Sequence, residues 1–273
     1  MKKLILFTFL IGITFISCRK KGCTDPSANN YNSSAEVDNG TCLYDSIIPN
    51  IASLVINTSH VFENKSFSFD SIYQDNFGNQ IQFSRATFYL GKPKYINTSE
   101  NTIDSTNNYV LIDPTTTSYN LGAVIPGIYQ ELNLLMGVDL TTNHLDPAIY
   151  NSDNALSYQS PSMHWQMGSS AQNWSYLFIV LEGLVDKNGN NNFDAGENFV
   201  FHIGNDGLTA EINDIIVNLI VEEGENEILE FKVDWSRFFD GIDLSTNNFT
   251  HTTDDPTLAD AISNNGINVL QIQ

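Results

Sequence analysis

The chain has 273 residues, of which 41% are hydrophobic and 11% aromatic, and its 32 acidic against 12 basic residues give a formal net charge of −20. The apolar and aromatic content is too high for a disordered chain, and the length suits one large β domain or a small module plus a domain. So acidic a surface repels nucleic acid and attracts cations, which argues against a nucleic-acid partner.

Lys2 and Lys3 precede an apolar run, Leu4 to Ile16, and then Ser17-Cys18. Residues 1–17 therefore read as a secretory signal peptide, with Ser17 and Cys18 forming the end of a lipobox and Cys18 as the acylated residue. The run is too short to span a bilayer comfortably. This predicts a lipid-anchored protein of the cell envelope, at the outer membrane, on its periplasmic face or at the cell surface. With Cys18 assigned to lipid, Cys23 and Cys42 remain as a pair. An oxidising compartment favours a structural disulfide between them, worth on the order of 3 kcal/mol for a short loop.

Residues 18–45 are too few for a hydrophobic core, so the disulfide must staple them. Gly22-Cys23-Thr24-Asp25-Pro26, Asn30-Tyr31-Asn32 and Asp38-Asn39-Gly40-Thr41-Cys42 resemble a short Cys-paired module seen in exported Bacteroidetes proteins. Asp25 and Asp38 are open to two roles, calcium binding or turn formation by their own side chains. Residues 46–50, with Pro49, read as a linker.

The main domain, 51–273, shows period-2 alternation broken by Asn, Gly and Asp clusters. Strands are predicted over Ser53–His60, Ser66–Ser71, Gln80–Leu90, Tyr109–Ile112, Ile128–Val138, Ser175–Leu184, Asn198–Ile203, Ile212–Val221 and Glu227–Val233. Trp235–Phe239 reads as one helical turn. A short C-terminal helix is predicted over Pro256–Ser263, with Pro at its first position and Asn265-Gly266 as its stop. Many short strands with few helices define an all-β fold, a β-sandwich of immunoglobulin-like two-sheet architecture.

Between two predicted strands lies Asp186-Lys-Asn188-Gly-Asn190-Asn-Asn192-Phe-Asp194-Ala-Gly-Glu197. Oxygen side chains fall at loop positions 1, 3, 5, 9 and 12, and Asn192 offers a backbone carbonyl, the ligand order of a calcium loop that ends in a bidentate Glu. The turn position carries Asn191 where Gly is usual, and Asn tolerates left-handed geometry. The competing expectation is an Asn/Gly-rich hairpin turn with no ion.

Pro161-Ser-Met163-His164-Trp165-Gln-Met167, followed by Trp174-Ser-Tyr176, gathers thioethers, an imidazole and indoles in a chain with five histidines and four methionines. Thioether and imidazole suit copper, especially Cu(I). His202 lies on the strand face opposite Phe199, Phe201 and Ile203, His164 precedes the same hairpin, and His60 ends the first strand on the face of Leu54 and Ile56. His144 and His251 sit in polar loops and read as surface residues.

The blocks His60-Val-Phe-Glu-Asn-Lys, Asp75-Asn-Phe-Gly-Asn, Phe83-Ser-Arg-Ala-Thr-Phe-Tyr-Leu, Val124-Ile-Pro-Gly-Ile-Tyr129, Leu135-Met-Gly-Val-Asp139, Met163-His-Trp165, Trp174-Ser-Tyr176, Leu181-Glu-Gly183 and Phe201-His-Ile-Gly204 occur in an order that resembles the MbnP-like family. These are copper-binding envelope proteins associated with methanobactin cassettes. The resemblance implies a β-sandwich that binds Cu(I) through histidines and, in some members, through a tryptophan oxidised to kynurenine by a di-haem peroxidase-like partner. Carried onto this chain, His164 and His202 are the leading copper ligands, His60 and Met163 secondary ones, and Trp165 the candidate kynurenine. Phe88-Tyr-Leu-Gly-Lys92 and Gln166-Met167 depart from the family's usual runs.

The sequence thus points to a non-enzymatic copper-binding lipoprotein with a structural calcium loop. The alternative is a calcium-stabilised adhesion or glycan-interaction lipoprotein without copper. No nucleophile motif supports a hydrolase.

Overall fold

A computed structural model describes residues 19–43, 52–166, 170 and 174–273. The signal peptide, Cys18 and the predicted linker lie outside the described residues. The chain separates into two compact units, Met1–Ile48 and Pro49–Gln273.

In the first unit, strands β1 (Lys21–Gly22) and β2 (Val37–Asp38) pair in parallel. Cys23 and Cys42 form the expected disulfide, with Cα atoms 4.9 Å apart. Among the unit's described apolar residues only Cys23 and Ala28 are buried, so the covalent bridge substitutes for a core. The Asp25 carboxylate accepts from the Ser27 N–H at 2.9 Å and that of Asp38 from the Gly40 N–H at 3.0 Å. Both are Asx turns, the turn-forming role of the two open at sequence level.

The second unit runs through β3 (Ala52–Phe62), β4 (Lys65–Ser66), β5 (Tyr73–Gln74), β6 (Gln80–Asn97), β7 (Thr102–Ser105), β8 (Tyr109–Ile112), β9 (Ser118–Val124) and β10 (Gly127–Met136). It continues with helix α1 (Leu140–Asn143), β11 (His164–Gln166), β12 (Trp174–Val185), β13 (Asn198–Gly204), β14 (Ala210–Val221), β15 (Asn226–Asp234), β16 (Phe249–Thr250), α2 (Pro256–Asn265) and β17 (Leu270–Ile272). One sheet has ten strands, with the path β14-β10-β6-β12-β13-β16 and β5, β7, β8 and β11 attached to it. The other has five, β17-β15-β3-β4 with β9 on β3. The chain is the all-β sandwich expected, with a short C-terminal helix.

An aromatic seam joins the two sheets. Phe62 of β3 stacks on Tyr73 at 4.6 Å and meets Phe83 of β6 at 5.9 Å. Phe83 meets Phe199 at 5.4 Å and Phe239 at 5.8 Å, and Phe88 meets Trp235 at 5.5 Å. Edge-to-face and offset pairs of this kind add to the stabilisation from buried area alone. Trp235 and Phe239 belong to a 3-10 turn whose N-cap, Asp234, accepts from the Ser236 N–H at 3.2 Å. α2 starts in the same way, with Asp255 accepting from the Leu258 N–H at 3.0 Å and Pro256 following it, which satisfies donors that a helix start leaves open.

Two predicted elements differ in the structure. Of the expected strand Ser66–Ser71 only Ser66 joins a ladder, as the end of the two-residue strand Lys65–Ser66. The chain beyond it wraps the Tyr73 hydroxyl, which accepts from the Ser68 N–H at 2.7 Å, so local backbone groups are satisfied without a strand partner. Conversely, β6 runs through Gly91-Lys92-Pro93 to Asn97, where its outer half gains β7 and β10 as partners. Gly91 permits this because a Cβ there would collide with the Tyr109 ring and the Asn108 carbonyl.

A bulge in β6 sets up the site. Glu182 of β12 faces Arg85, and the next residue, Gly183, faces Phe83, so Ser84 is left unpaired. The extra residue turns Arg85 and Phe83 toward opposite faces of the sheet: Phe83 enters the seam while Arg85 meets Glu182 outside. Gly183 is needed opposite Phe83, since a Cβ there would strike the Gln82 carbonyl and the Phe199 ring. Gly183→Ala should therefore lower unfolding free energy by about 1–3 kcal/mol, the usual cost of overpacking, measured by urea denaturation.

Candidate metal centre

The Asp186–Glu197 loop connects β12 to β13 as a hairpin, as its flanking strand patterns predict. Asp186 is 3% exposed. It accepts from the Gly189 N–H at 2.8 Å, the Asn190 N–H at 3.2 Å and the Asn191 N–H at 2.7 Å. Glu197 closes the loop by accepting from the Lys187 and Asp194 N–H groups at 3.2 and 2.9 Å. Asn188 and Asn190 both donate to Asp194, at 3.1 and 2.8 Å. Asn191 takes φ +63°, the left-handed turn that its identity allows. Asp186, Asn188, Asn190, Asp194 and Glu197 thus share one tight loop, while the Asn192 side-chain amide turns to the Asn190 carbonyl at 3.3 Å. The same oxygens that would bind an ion are those that shape the loop.

The histidines fall into separate environments. His60 on β3 stacks on Trp235 at 5.9 Å and accepts the indole N–H on Nδ1 at 3.2 Å. An indole nitrogen only donates, so Nδ1 is unprotonated and Nε2 carries the proton. Nε2 lies 2.9 Å from the Thr58 hydroxyl and 3.1 Å from the Thr116 carbonyl. Both ring nitrogens are engaged, and burial holds His60 below the ordinary imidazole range, against the opposing pull of the Thr116 carbonyl and Asp113.

His164 on β11 is the reverse case. Its side chain is 9% exposed, and neither ring nitrogen has a hydrogen-bond partner. The ring packs edge-on against Tyr176 at 4.7 Å and Trp174 at 6.2 Å. Burial lowers its pKa, against the opposing pull of Asp146 and of the Leu145 backbone. A buried imidazole with no partner is uncommon and leaves a nitrogen lone pair available. Trp165, next in sequence, is half-buried against the core and faces Ser175 across the ladder.

His202 on β13 points away from the seam. Its Nε2 lies 2.8 Å from Glu182, which also pairs with Arg85 at 3.4 Å. Arg85 extends to the Met163 sulfur at 3.0 Å and the Ser162 carbonyl at 3.0 Å. Met163 is therefore packed in the core with its thioether against a guanidinium. On the other side His202 packs against His251 at 4.8 Å, and His251 lies 3.3 Å from Asp254. Burial lowers the pKa of His202, Glu182 raises it, and His251 and Arg85 lower it further.

The structure thus links Met163 to His202 through Arg85 and Glu182. His164 and His60 stand apart: among the described residues the three predicted histidine ligands make no ring or hydrogen-bond contact with one another. Sequence reasoning missed His251. It reaches His202 because β16 pairs in parallel with β13, with Val200 facing Phe249 and Phe201 facing Thr250, a pairing too short and too distant in sequence to show as a pattern.

The fold and site define an all-β domain with imidazoles on three of its strands, His60 on β3, His164 on β11 and His202 on β13. A family model described as MbnP matches residues 52–254, and the chain belongs to the MbnP family. Among solved structures, MbnP from Methylosinus trichosporium is similar, with 11% sequence identity, 70% of this chain and 78% of that chain covered, and a TM-score of 0.47. No curated protein matches.

The His60–Trp235 bond has a measurable consequence. The folded pKa lies below the ordinary 6.5, so the unfolded chain takes up the proton first and stability falls as pH drops from 6.5 toward the folded value. Above 6.5 this loss is absent. His60→Gln, which keeps one donor and one acceptor, should flatten the decline in urea-denaturation free energy between pH 7.5 and 5.

Proposed function

We propose that this chain is a non-enzymatic lipoprotein, tethered to the envelope through Cys18, that holds copper as Cu(I) for handling or storage. Family membership over residues 52–254 carries this reading, because the family is linked to methanobactin-associated copper handling. The donor chemistry supports it in part. The unpartnered nitrogens of His164 and the carboxylate-anchored ring of His202 suit a cation that takes neutral imidazole. Met163 and His60 fit less well, since the sulfur faces Arg85 and both nitrogens of His60 are engaged.

His164 and His202 would be the copper ligands, each in its own environment, and the protein's part is to present neutral rings on strands before the ion arrives. Copper supplies the affinity for soft and imidazole donors; the chain supplies burial and orientation. Trp165 is the residue that a di-haem peroxidase-like partner would convert to kynurenine. Asp186, Asn188, Asn190, Asn192, Asp194 and Glu197 would hold a structural calcium ion. Wild-type protein should retain Cu(I) against a chromophoric competitor, and His202→Ala should lose most of it. Equal retention by wild type and His202→Ala would reject this site.

A second reading rests on a different observation. A groove of about 660 Å³ is lined by Asn108, Asn120, Asn154 and the half-buried Tyr150, among others, an amide-rich surface of the kind that recognises sugars. It would make the chain a calcium-stabilised glycan-interaction lipoprotein. Added calcium should raise Tm under either reading and EGTA should reverse the gain, with Asp186→Asn abolishing it. Calcium-dependent Tm with no copper uptake would favour the second reading.

A further inference from the structure

We propose that the groove between β8 and β9 is a docking site for an extended, basic peptide segment of a partner protein, which adds to the open edge of β8 as an extra strand. The imidazoles discussed above play no part in it. β8 pairs with β6 and β9 pairs with β3, and neither has a second strand partner among the described residues. Each therefore keeps one unpaired edge.

The phase of the ladders shows where those edges point. The Lys92 N–H donates to the Asn108 carbonyl at 2.9 Å, in the register that sets Gly91 opposite Tyr109. Bonded residues alternate along an antiparallel pair. Val110 and Ile112 thus bond to β6, while Tyr109 and Leu111 turn N–H and C=O away from it. Asp113, next in that outward set, donates its N–H across to the Tyr119 hydroxyl of β9 at 2.9 Å. On β9, the Thr58 N–H donates to the Thr117 carbonyl at 2.9 Å, and Asn57 faces Ser118. By the same alternation, the backbones of Ser118 and Asn120 turn away from β3. Both open edges line one groove of about 660 Å³, with the 149–155 loop as its wall.

The wall is fixed from behind. Tyr89 and Tyr176, both 0% exposed, donate their hydroxyls to the Ala155 and Leu156 carbonyls at 3.0 and 2.7 Å. The lining amides spend one end on the backbone and keep the other. Asn120 Oδ1 accepts from the Gly122 N–H at 2.7 Å and Asn154 Oδ1 from the Leu156 N–H at 2.8 Å. Their Nδ2 groups have no hydrogen bond among the described residues. Asn108 donates Nδ2 to the Asn120 carbonyl at 3.0 Å and keeps its oxygen.

Peptide backbone is the ligand that this edge matches. An added strand draws affinity from main-chain bonds and specificity from alternate side chains. A sugar would use the amides and leave the strand edge unpaired. Open edges are usually blunted by charge, proline or a bulge, and Tyr109-Val-Leu-Ile112 has no charge, no proline and no register shift. Among the described residues Asp153 is the one charged side chain lining the groove, on a chain of net charge −20. That complements a segment carrying Lys or Arg and disfavours an acidic one.

The test pans a random octapeptide library on phage against the full chain, then measures the selected sequences as fluorescein-labelled synthetic peptides. They should be basic, and on binding should slow hydrogen exchange at the Tyr109 and Leu111 amides. Leu111→Pro removes one outward N–H and leaves the bonds to β6, because an edge strand tolerates proline on its open side. It should weaken binding by about tenfold, the worth of a main-chain hydrogen bond. Two further arms leave the core untouched: Asp153→Lys should weaken basic peptides several-fold at unchanged Tm, and N-methylation of alternate peptide residues should abolish binding. The proposal fails if the library yields no binder, if N-methylated peptides bind as well, or if exchange at Tyr109 and Leu111 does not change. It also fails if cellohexaose, a neutral oligosaccharide, occupies the groove and no peptide does, which assigns the groove to a glycan.

Discussion

The aromatic seam between the two sheets is the constraint on which the domain depends. Phe83, Phe88, Phe199, Trp235 and Phe239 occupy one contiguous layer of side chains, all 2% exposed or less. Because strand side chains alternate, filling the layer from β6, β12 and β13 decides which residues must leave it. Phe199, Phe201 and Ile203 inside place His202 outside. The Ser84 bulge makes the same exchange on β6, so that Phe83 and Arg85 can serve opposite faces. The polar chain from Arg85 through Glu182 to His202 and His251 is the outward image of the seam.

That polar chain explains why soft-ligand chemistry is unevenly distributed. Met163 is held against Arg85, and His60 is locked between Trp235 and the Thr116 carbonyl. His164 and His202 keep a free nitrogen for different reasons, one because no partner reaches it and the other because a carboxylate takes only one side of the ring. Under the proposed copper reading, capacity depends less on how many histidines the chain carries than on which ring nitrogens the fold leaves unengaged.

Much of the fold was legible in the sequence. The long strands alternate visibly, Pro256 with its acidic neighbours marked α2, and the turns at Asn191 and Gly189 were written in residues that tolerate positive φ. β9, β16 and β17 were not legible. Ser118–Val124 alternates only over its first residues before Gly122 at φ +100° interrupts it, and the other two strands are shorter than any period can reveal. The extension of β6 was hidden because Gly91 and Pro93 look like a stop, whereas the Tyr109 ring requires the glycine. For the site, residue type and face were readable, which brought out His202 and the hairpin loop. What the sequence could not supply was the non-local register that puts His251 beside His202 and Trp235 beside His60.

The parallel pairing of β3 with β15 has a kinetic side. Ser53 faces Asn226 and Val61 faces Asp234, so the first long strand of the domain is completed by one almost at its end. Its other edge meets β9 earlier, at Asn57–Ser118 and Ala52–Val124. Closing so long a loop is entropically late, and until then one side of β3 presents open backbone groups able to template pairing with another chain. The domain should behave as a slow folder, whose safety during synthesis depends on that open edge being kept apart from its own copies.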